Sequence, residues 1–182
     1  MPKTNMSLPV ITVQLGQPVD QFSREVPPQV NPLTTPYGQL VSDPHAMRIS
    51  SPGWAITIPQ ARFSSVDFWD GLVQGVRVNP HLEYLKFEEA ARLLDELRAE
   101  FIRAGFQPHA EINTSGNQLR EHDPEIANDS AYNTELFRAH RANVMCFLVL
   151  KKSELKGAYL GPGLTAESDL FLLTLTIQPY KP

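Results

Sequence analysis

The sequence predicts an α+β fold, a mostly antiparallel sheet with one long amphipathic helix packed on one face and one or two short helices. Residues 86–105 repeat apolar side chains at three- and four-residue steps, which is helical spacing. Asp70 and Gly71 separate two strand-like runs, as in a β-hairpin. Residues 143–152 and 169–180 are two further strand-like runs near the C-terminus. Strands that cluster apart from helices favour the α+β class.

The first elements follow from local pattern. Residues 8–15 alternate Val, Thr and Gln with Ile, Val and Leu, which predicts a half-buried strand. Pro18 stands where a first helical residue would stand, and a short helix over residues 18–26 follows. Residues 29–53 are rich in Pro, Ser, Thr and Asn and predict loops with short strands. Residues 54–59, WAITIP, predict the next strand.

The hairpin and the long helix come next. The Asp70-Gly71 pair suits a turn in which both central residues have positive φ, and Gly75 marks a bulge or a close approach on the second arm. The helix that follows has an apolar stripe made of Phe87, Ala90, Leu94, Leu97 and Phe101. Gly105 is placed for a left-handed cap at its C-terminal end.

The C-terminal half predicts two long loops. Residues 107–130 are polar and turn-rich, although residues 109–113 also fit a strand. Ser130 predicts the cap of a short helix that runs through Tyr132, Leu136, Phe137 and His140. Residues 143–152 are apolar on both faces, as in a central strand. Residues 153–168 form a Gly/Pro-rich loop before the last strand.

Length and composition favour a single domain over residues 1–182, with residues 1–7 as a leader or an artificial start. The net charge of −4 and the pI near 5.7 give no general attraction to nucleic acid. No apolar run reaches the roughly 18 residues of a membrane span. A periplasmic location follows if a signal was removed, and a cytoplasmic one otherwise. The lone Cys146, in an apolar run, excludes an internal disulfide and predicts a buried, inert thiol.

Catalytic signatures are missing from the sequence, so we predict no enzyme, no catalytic residues, no cofactor and no metal site. There is no G-x-S-x-G elbow and no phosphate-binding glycine loop. His109, Glu111, His122 and Asp123 share one polar region and would suit a metal-dependent hydrolase if they converged. That activity stays open as a second alternative.

Aromatic residues in loops point instead to a protein partner. Phe63, Phe68 and Trp69 surround the Asp70 turn, Tyr159 lies in the late loop, and Tyr37 and Trp54 lie in the proline-rich part. Exposed aromatic side chains anchor many protein interfaces, although the same residues also occur in β-rich cores. The predicted partner-binding residues are Phe68, Trp69, Asp70, Asn117, Arg120, His122 and Tyr159.

Three stretches carry a resemblance to known proteins: ITVQLGQPVDQF, DGLVQGVRV and FEEAARLLDELRAEFIRAGF. Together they resemble the build of small bacterial envelope proteins over residues 11–106. Immunity proteins that block toxins delivered by type VI secretion are similar in size and charge. The resemblance implies a toxin or an envelope protein as partner, and it carries over no binding residues.

The resulting hypothesis is a non-catalytic protein-binding module, an immunity or inhibitor protein that occludes a bacterial toxin. The alternative is a structural component of the cell envelope, lipid-anchored in its full-length form. A homodimer also stays open.

Overall fold

The computed structural model describes residues 7–122, 133–152 and 170–180. The chain divides into two compact units, Met1–Leu82 and Glu83–Pro182, here called the N-terminal and the C-terminal unit. Of the strand pairs described, β1 with β4 is parallel and the others are antiparallel. The predicted α+β class with mostly antiparallel sheets is therefore confirmed.

From residue 7 onward, where the structure describes it, the N-terminal unit contains seven strands and one short helix. They are β1 (Val10–Gln14), α1 (Val19–Glu25), β2 (Leu33–Thr35), β3 (Gly38–Val41), β4 (His45–Ser51), β5 (Trp54–Ala61), β6 (Phe63–Trp69) and β7 (Leu72–Asn79). Strands β1, β4 and β5 form one sheet in the order β1-β4-β5. Strands β2, β3, β6 and β7 lie side by side in that order. Most strands have one buried face, because apolar residues recur at every second position.

The core of this unit lies on those buried faces. Ile11, Met47, Ile49, Ile56 and Ile58 come from β1, β4 and β5, and each is at most 1% exposed. Burial of one such side chain contributes about 1.5–3 kcal/mol, so these strands alone supply a substantial apolar core.

In its described residues, the C-terminal unit contains two helices and four strands. They are α2 (Phe87–Arg103), β8 (Gln107–Asn113), α3 (Gly116–Glu121), β9 (Asn133–Arg141), β10 (Val144–Lys152) and β11 (Phe171–Pro179). The four strands lie in the order β11-β10-β9-β8. Helix α2 has 17 residues and buries Ala90, Ala91, Leu94, Leu97 and Phe101.

Aromatic contacts join α2 to the strands of the C-terminal unit. The ring of Phe101 lies 6.3 Å from that of Phe137 on β9, and the ring of Phe87 lies 5.7 Å from that of Phe171 on β11. After α2, Gly105 adopts φ 83°, the left-handed conformation that the sequence predicted for it.

The predicted hairpin between β6 and β7 is confirmed. Asp70 and Gly71 have φ 50° and 72°, the two positive values that a type I′ turn requires. The predicted irregularity at Gly75 is also present. Gly75 faces Asp67 while the next pair along joins Phe68 to Val73, which leaves one extra residue on β7.

Two predictions for the C-terminal half are wrong. The segment expected to form a helix after Ser130 is β9, which pairs with β10 from Asn133 to Arg141. Its apolar residues fit helical spacing, but pairing with the apolar β10 satisfies the backbone and buries them. The predicted loop over residues 107–130 is also wrong where the structure describes it. Residues 107–113 form β8, as the alternative strand over residues 109–113 predicted, and residues 116–121 form α3. Residues 123–132 and the predicted loop 153–168 lie outside the described residues.

Candidate functional site

An exposed apolar cluster marks one surface of the N-terminal unit. Six large hydrophobic side chains are exposed in the described part of the chain. Four of them belong to the β2–β3 hairpin or to the end of β6, namely Leu33, Tyr37, Leu40 and Trp69. Tyr37 is 77% exposed and Trp69 is 66% exposed. Contiguous exposed apolar side chains often mark interaction sites.

Strand register brings three of these side chains, Leu33, Leu40 and Trp69, to one face. Leu33 faces Leu40, and Leu40 faces Ser65 on β6, so the three share one side of the sheet. Asp67 and Trp69 follow Ser65 at two-residue steps and therefore lie on that same side. The local sequence of β6 does not reveal this grouping, because it depends on the pairing of β2 and β3 with β6.

A groove of about 360 Å³ lies beside Trp69. We call it the hairpin groove, and its lining residues are Val19, Pro36, Tyr37, Phe68, Trp69, Asp70 and Gly71. Three separate segments build it: the start of α1, the β2–β3 turn and the β6–β7 turn.

Backbone hydrogen bonds hold these segments together. The amide of Phe68 donates to the carbonyl of Tyr37 at 2.8 Å, which joins the β2–β3 turn to β6. The amide of Val19 donates to the carbonyl of Gly71 at 3.0 Å, which joins α1 to the β6–β7 turn. The rim of the groove therefore rests on main-chain contacts and is pre-organised.

Gly38 is required at the base of the β2–β3 turn. A Cβ atom at this position would lie 2.6 Å from the carbonyl oxygen of Val66, a backbone atom that has little freedom to move. The side-chain oxygen of Thr35 also donates to the carbonyl of Gly38 at 3.1 Å. The close approach of β3 to β6 thus depends on the absence of a side chain at residue 38.

Phe68 forms the floor of the groove. It is 7% exposed, and its ring meets that of Phe22 edge to face at 6.0 Å between centroids. Phe68 therefore lines the groove but does not project from it as Trp69 does. Successive residues of a strand point to opposite faces, so Phe68 turns into the core while Trp69 turns outward.

The charge at the groove is negative. Asp70 is the one charged residue among its lining residues, and Asp67 lies on the same sheet face as Trp69. Within the described chain, neither carboxylate forms an ion pair or accepts a side-chain or backbone hydrogen bond. Both carboxylates are thus free to meet a partner.

The other predicted contact residues belong to the C-terminal unit. Arg120 on α3 pairs with Glu88 on α2 through Nε and Oε2 at 2.9 Å, and its Nη1 donates to Oδ1 of Asn117 at 3.0 Å. These contacts hold α3 against α2, so Arg120 has a structural role in this conformation. The backbone amide of His122 donates to Leu119 at the end of α3. Tyr159 lies outside the described residues.

The residues that the hydrolase hypothesis would use do not form a metal site where they are described. Among residues 7–122, 133–152 and 170–180, no three His, Cys, Asp or Glu side chains come together in a way that could hold a metal ion. Asp123 lies outside those ranges. Burial raises the pKa of the Cys146 thiol well above its usual range, so the thiol stays protonated.

A buried serine–histidine pair joins β6 to β4. Nε2 of His45 lies 2.9 Å from Oγ of Ser64, and Nδ1 of His45 lies 2.7 Å from the carbonyl oxygen of Asp43. This arrangement fits a neutral imidazole that donates from Nδ1 and accepts from Ser64. Desolvation lowers the pKa of His45, although the Asp43 carbonyl and charge oppose the shift.

The His45–Ser64 pair has the atoms of a base and a nucleophile, but it has no access to a substrate. Both residues are 0% exposed. We therefore assign it a structural role, the satisfaction of two buried polar groups. The sequence gives no sign of it, because the two residues come together only through the packing of β4 and β6.

In the part of the chain that the structure describes, no helix is both long enough and apolar enough to cross a membrane. A scan against protein-family models finds no matching family, and searches of curated proteins and of solved structures find no significant match.

Proposed function

We propose that the chain is a non-catalytic protein-binding module and that the hairpin groove, with the neighbouring Leu33 and Leu40, is its binding surface. The observation that carries the proposal is the pair of exposed aromatic side chains, Tyr37 and Trp69, on a rim fixed by backbone hydrogen bonds. Exposed aromatics on rigid elements are typical anchors of protein interfaces, since little conformational entropy is lost when they are buried.

A protein partner suits this surface better than a small molecule. Exposed apolar side chains also occur outside the groove, at Leu33 and Leu40 on the sheet face. A small molecule bound in the groove would leave Leu33 and Leu40 exposed to water. A protein partner would cover the groove and these two side chains together, with Trp69 at the centre and the carboxylates nearby. Such a layout matches an apolar centre within a polar rim.

The resemblance to immunity proteins suggests a specific form of the proposal. In that form, the chain binds a toxin and covers the toxin's active site. The net charge of −4 favours association with a basic partner, because complementary charge accelerates encounter.

Capture from an extract of the source cells tests the proposal. We compare the wild type with Trp69→Ser and with Ile102→Ser, a matched control in which an exposed large hydrophobic residue of α2 is removed. The proposal expects a captured protein that Ile102→Ser retains and Trp69→Ser loses. Equal recovery by both variants, or no capture by the wild type, contradicts it. For the immunity form, the captured protein's toxicity must also fall when the wild-type chain is added.

A further inference from the structure

We infer that the hairpin groove receives an arginine side chain of the partner protein, held between the aromatic rings and the carboxylates. The inference rests on the proposed function and adds the chemistry of what is bound. The juxtaposition that carries it is Tyr37, Trp69 and Asp70 around the groove whose floor is Phe68, with Asp67 on the same sheet face as Trp69.

The aromatic rings favour a planar cation. Tyr37 and Trp69 are the two exposed rings of the groove, and the face of an indole is the strongest cation–π partner among side chains. A guanidinium group can stack flat on such a ring and still direct its N–H groups outward in the ring plane. An ammonium group lacks this planar surface, so lysine suits the groove less well.

The two carboxylates supply the complementary charge. Asp67 lies one two-residue step from Trp69 on the same face of β6, about 7 Å along the strand. Asp70 follows Trp69 directly and lines the groove. The five N–H donors of a guanidinium can pair with a carboxylate through two parallel hydrogen bonds while the plane rests on a ring.

Nearby cations leave this charge uncompensated. Arg24 on α1 is already paired with Asp20 at 3.2 Å. Arg77 on β7 lies opposite Ser65, one two-residue step from Gly75, which faces Asp67. Within the described chain, Arg77 forms no ion pair with Asp67. An incoming arginine would therefore meet carboxylates that no cation of the described chain already pairs with.

Trp69 provides the signal for the test. The chain has two tryptophans, and Trp54 is only 9% exposed, so fluorescence changes on ligand addition report chiefly on Trp69. Short Gly/Ser peptides that carry arginine, lysine or citrulline, the neutral isostere of arginine, are titrated into the wild type. Trp69→Phe confirms which tryptophan gives the signal.

The decisive variant is the double substitution Asp67→Asn and Asp70→Asn, which removes both negative charges and keeps the shape of both side chains. Asparagine accepts positive φ as readily as aspartate, so the turn at residue 70 is preserved. We expect the arginine peptide to bind about tenfold more tightly than the citrulline peptide, and the variant to abolish that difference. A second measurement needs no variant: added salt must weaken the binding of the arginine peptide more than the binding of the citrulline peptide.

Equal affinities for arginine and citrulline peptides overturn the inference, and so does a lysine peptide that binds as tightly as arginine. An unchanged preference in the double variant also overturns it. Failure of the inference is separable from failure of the proposed function. Capture that depends on Trp69 but not on the two aspartates would refute the arginine site and leave the binding surface standing. Peptide selectivity without any Trp69-dependent capture would refute the binding function.

Discussion

Two adjacent residues of β6 provide a matched test of how the groove is built. Phe68 is 7% exposed and packs on Phe22, whereas Trp69 is 66% exposed. We predict that Phe68→Ala lowers the free energy of unfolding strongly and that Trp69→Ala lowers it far less. Only Trp69→Ala should give a stably folded chain that no longer binds its partner.

The magnitudes follow from burial. Phe68→Ala removes a buried ring and leaves a cavity, which costs about 3–5 kcal/mol, including the aromatic contact with Phe22. About a third of Trp69 is covered, or roughly 85 Å² of a side chain near 250 Å², since its exposed fraction is 66%. At about 25 cal/mol per Å² this gives an upper estimate of about 2 kcal/mol.

Urea denaturation, followed by circular dichroism, measures both losses at constant m-value. The expected order is a large loss for Phe68→Ala and a small one for Trp69→Ala. A reversed order, or equal losses, would refute the assignment of Phe68 to the floor and Trp69 to the rim.

Three further predictions follow from the buried contacts. Gly38→Ala places a methyl group against the carbonyl of Val66, so we expect a loss of about 1–3 kcal/mol and weaker partner binding; a variant as stable as the wild type would contradict the need for glycine there. The pKa of His45 is lowered in the folded state, so the unfolded chain takes up the proton first. Stability should be level above about pH 6.5 and fall below it by up to about 1.4 kcal/mol per pH unit. His45→Gln should reduce that acid slope in denaturation curves, and an unchanged slope would show that His45 does not titrate as described. Cys146 should resist a thiol reagent until the chain unfolds, as followed by mass spectrometry; rapid labelling of the folded chain would contradict its burial.

Local sequence patterns predicted the elements whose conformation is set by residues close to one another in the chain. The first strand, the helix after Pro18 and the Asp70-Gly71 turn each have a signal within a few residues, and the structure has all three. Strand β10 lies between β9 and β11, the central position that its apolar sequence predicted, and one of its faces is fully buried.

Contacts between distant residues could not be predicted in the same way. Leu136, Phe137 and His140 suit helical spacing and predict a helix, yet pairing with β10 decides the conformation of β9. The start of α3 does have a local signal, the capping box formed by Ser115 and Gln118.

The candidate site shows the same division. Trp69 and Asp70 were predicted as contact residues from the turn alone. Tyr37 joins them only through the pairing of β3 with β6, which the sequence does not encode locally.

Photo-crosslinking tests the central claim most directly. A benzophenone amino acid replaces Tyr37, which is 77% exposed on the rim of the groove, and in a control replaces Ile102, which is 49% exposed on α2. After irradiation in the source cells, we expect a discrete adduct with one protein from position 37 and none from position 102. No adduct from position 37, or the same adducts from both positions, would contradict the assignment of the hairpin groove as the binding surface.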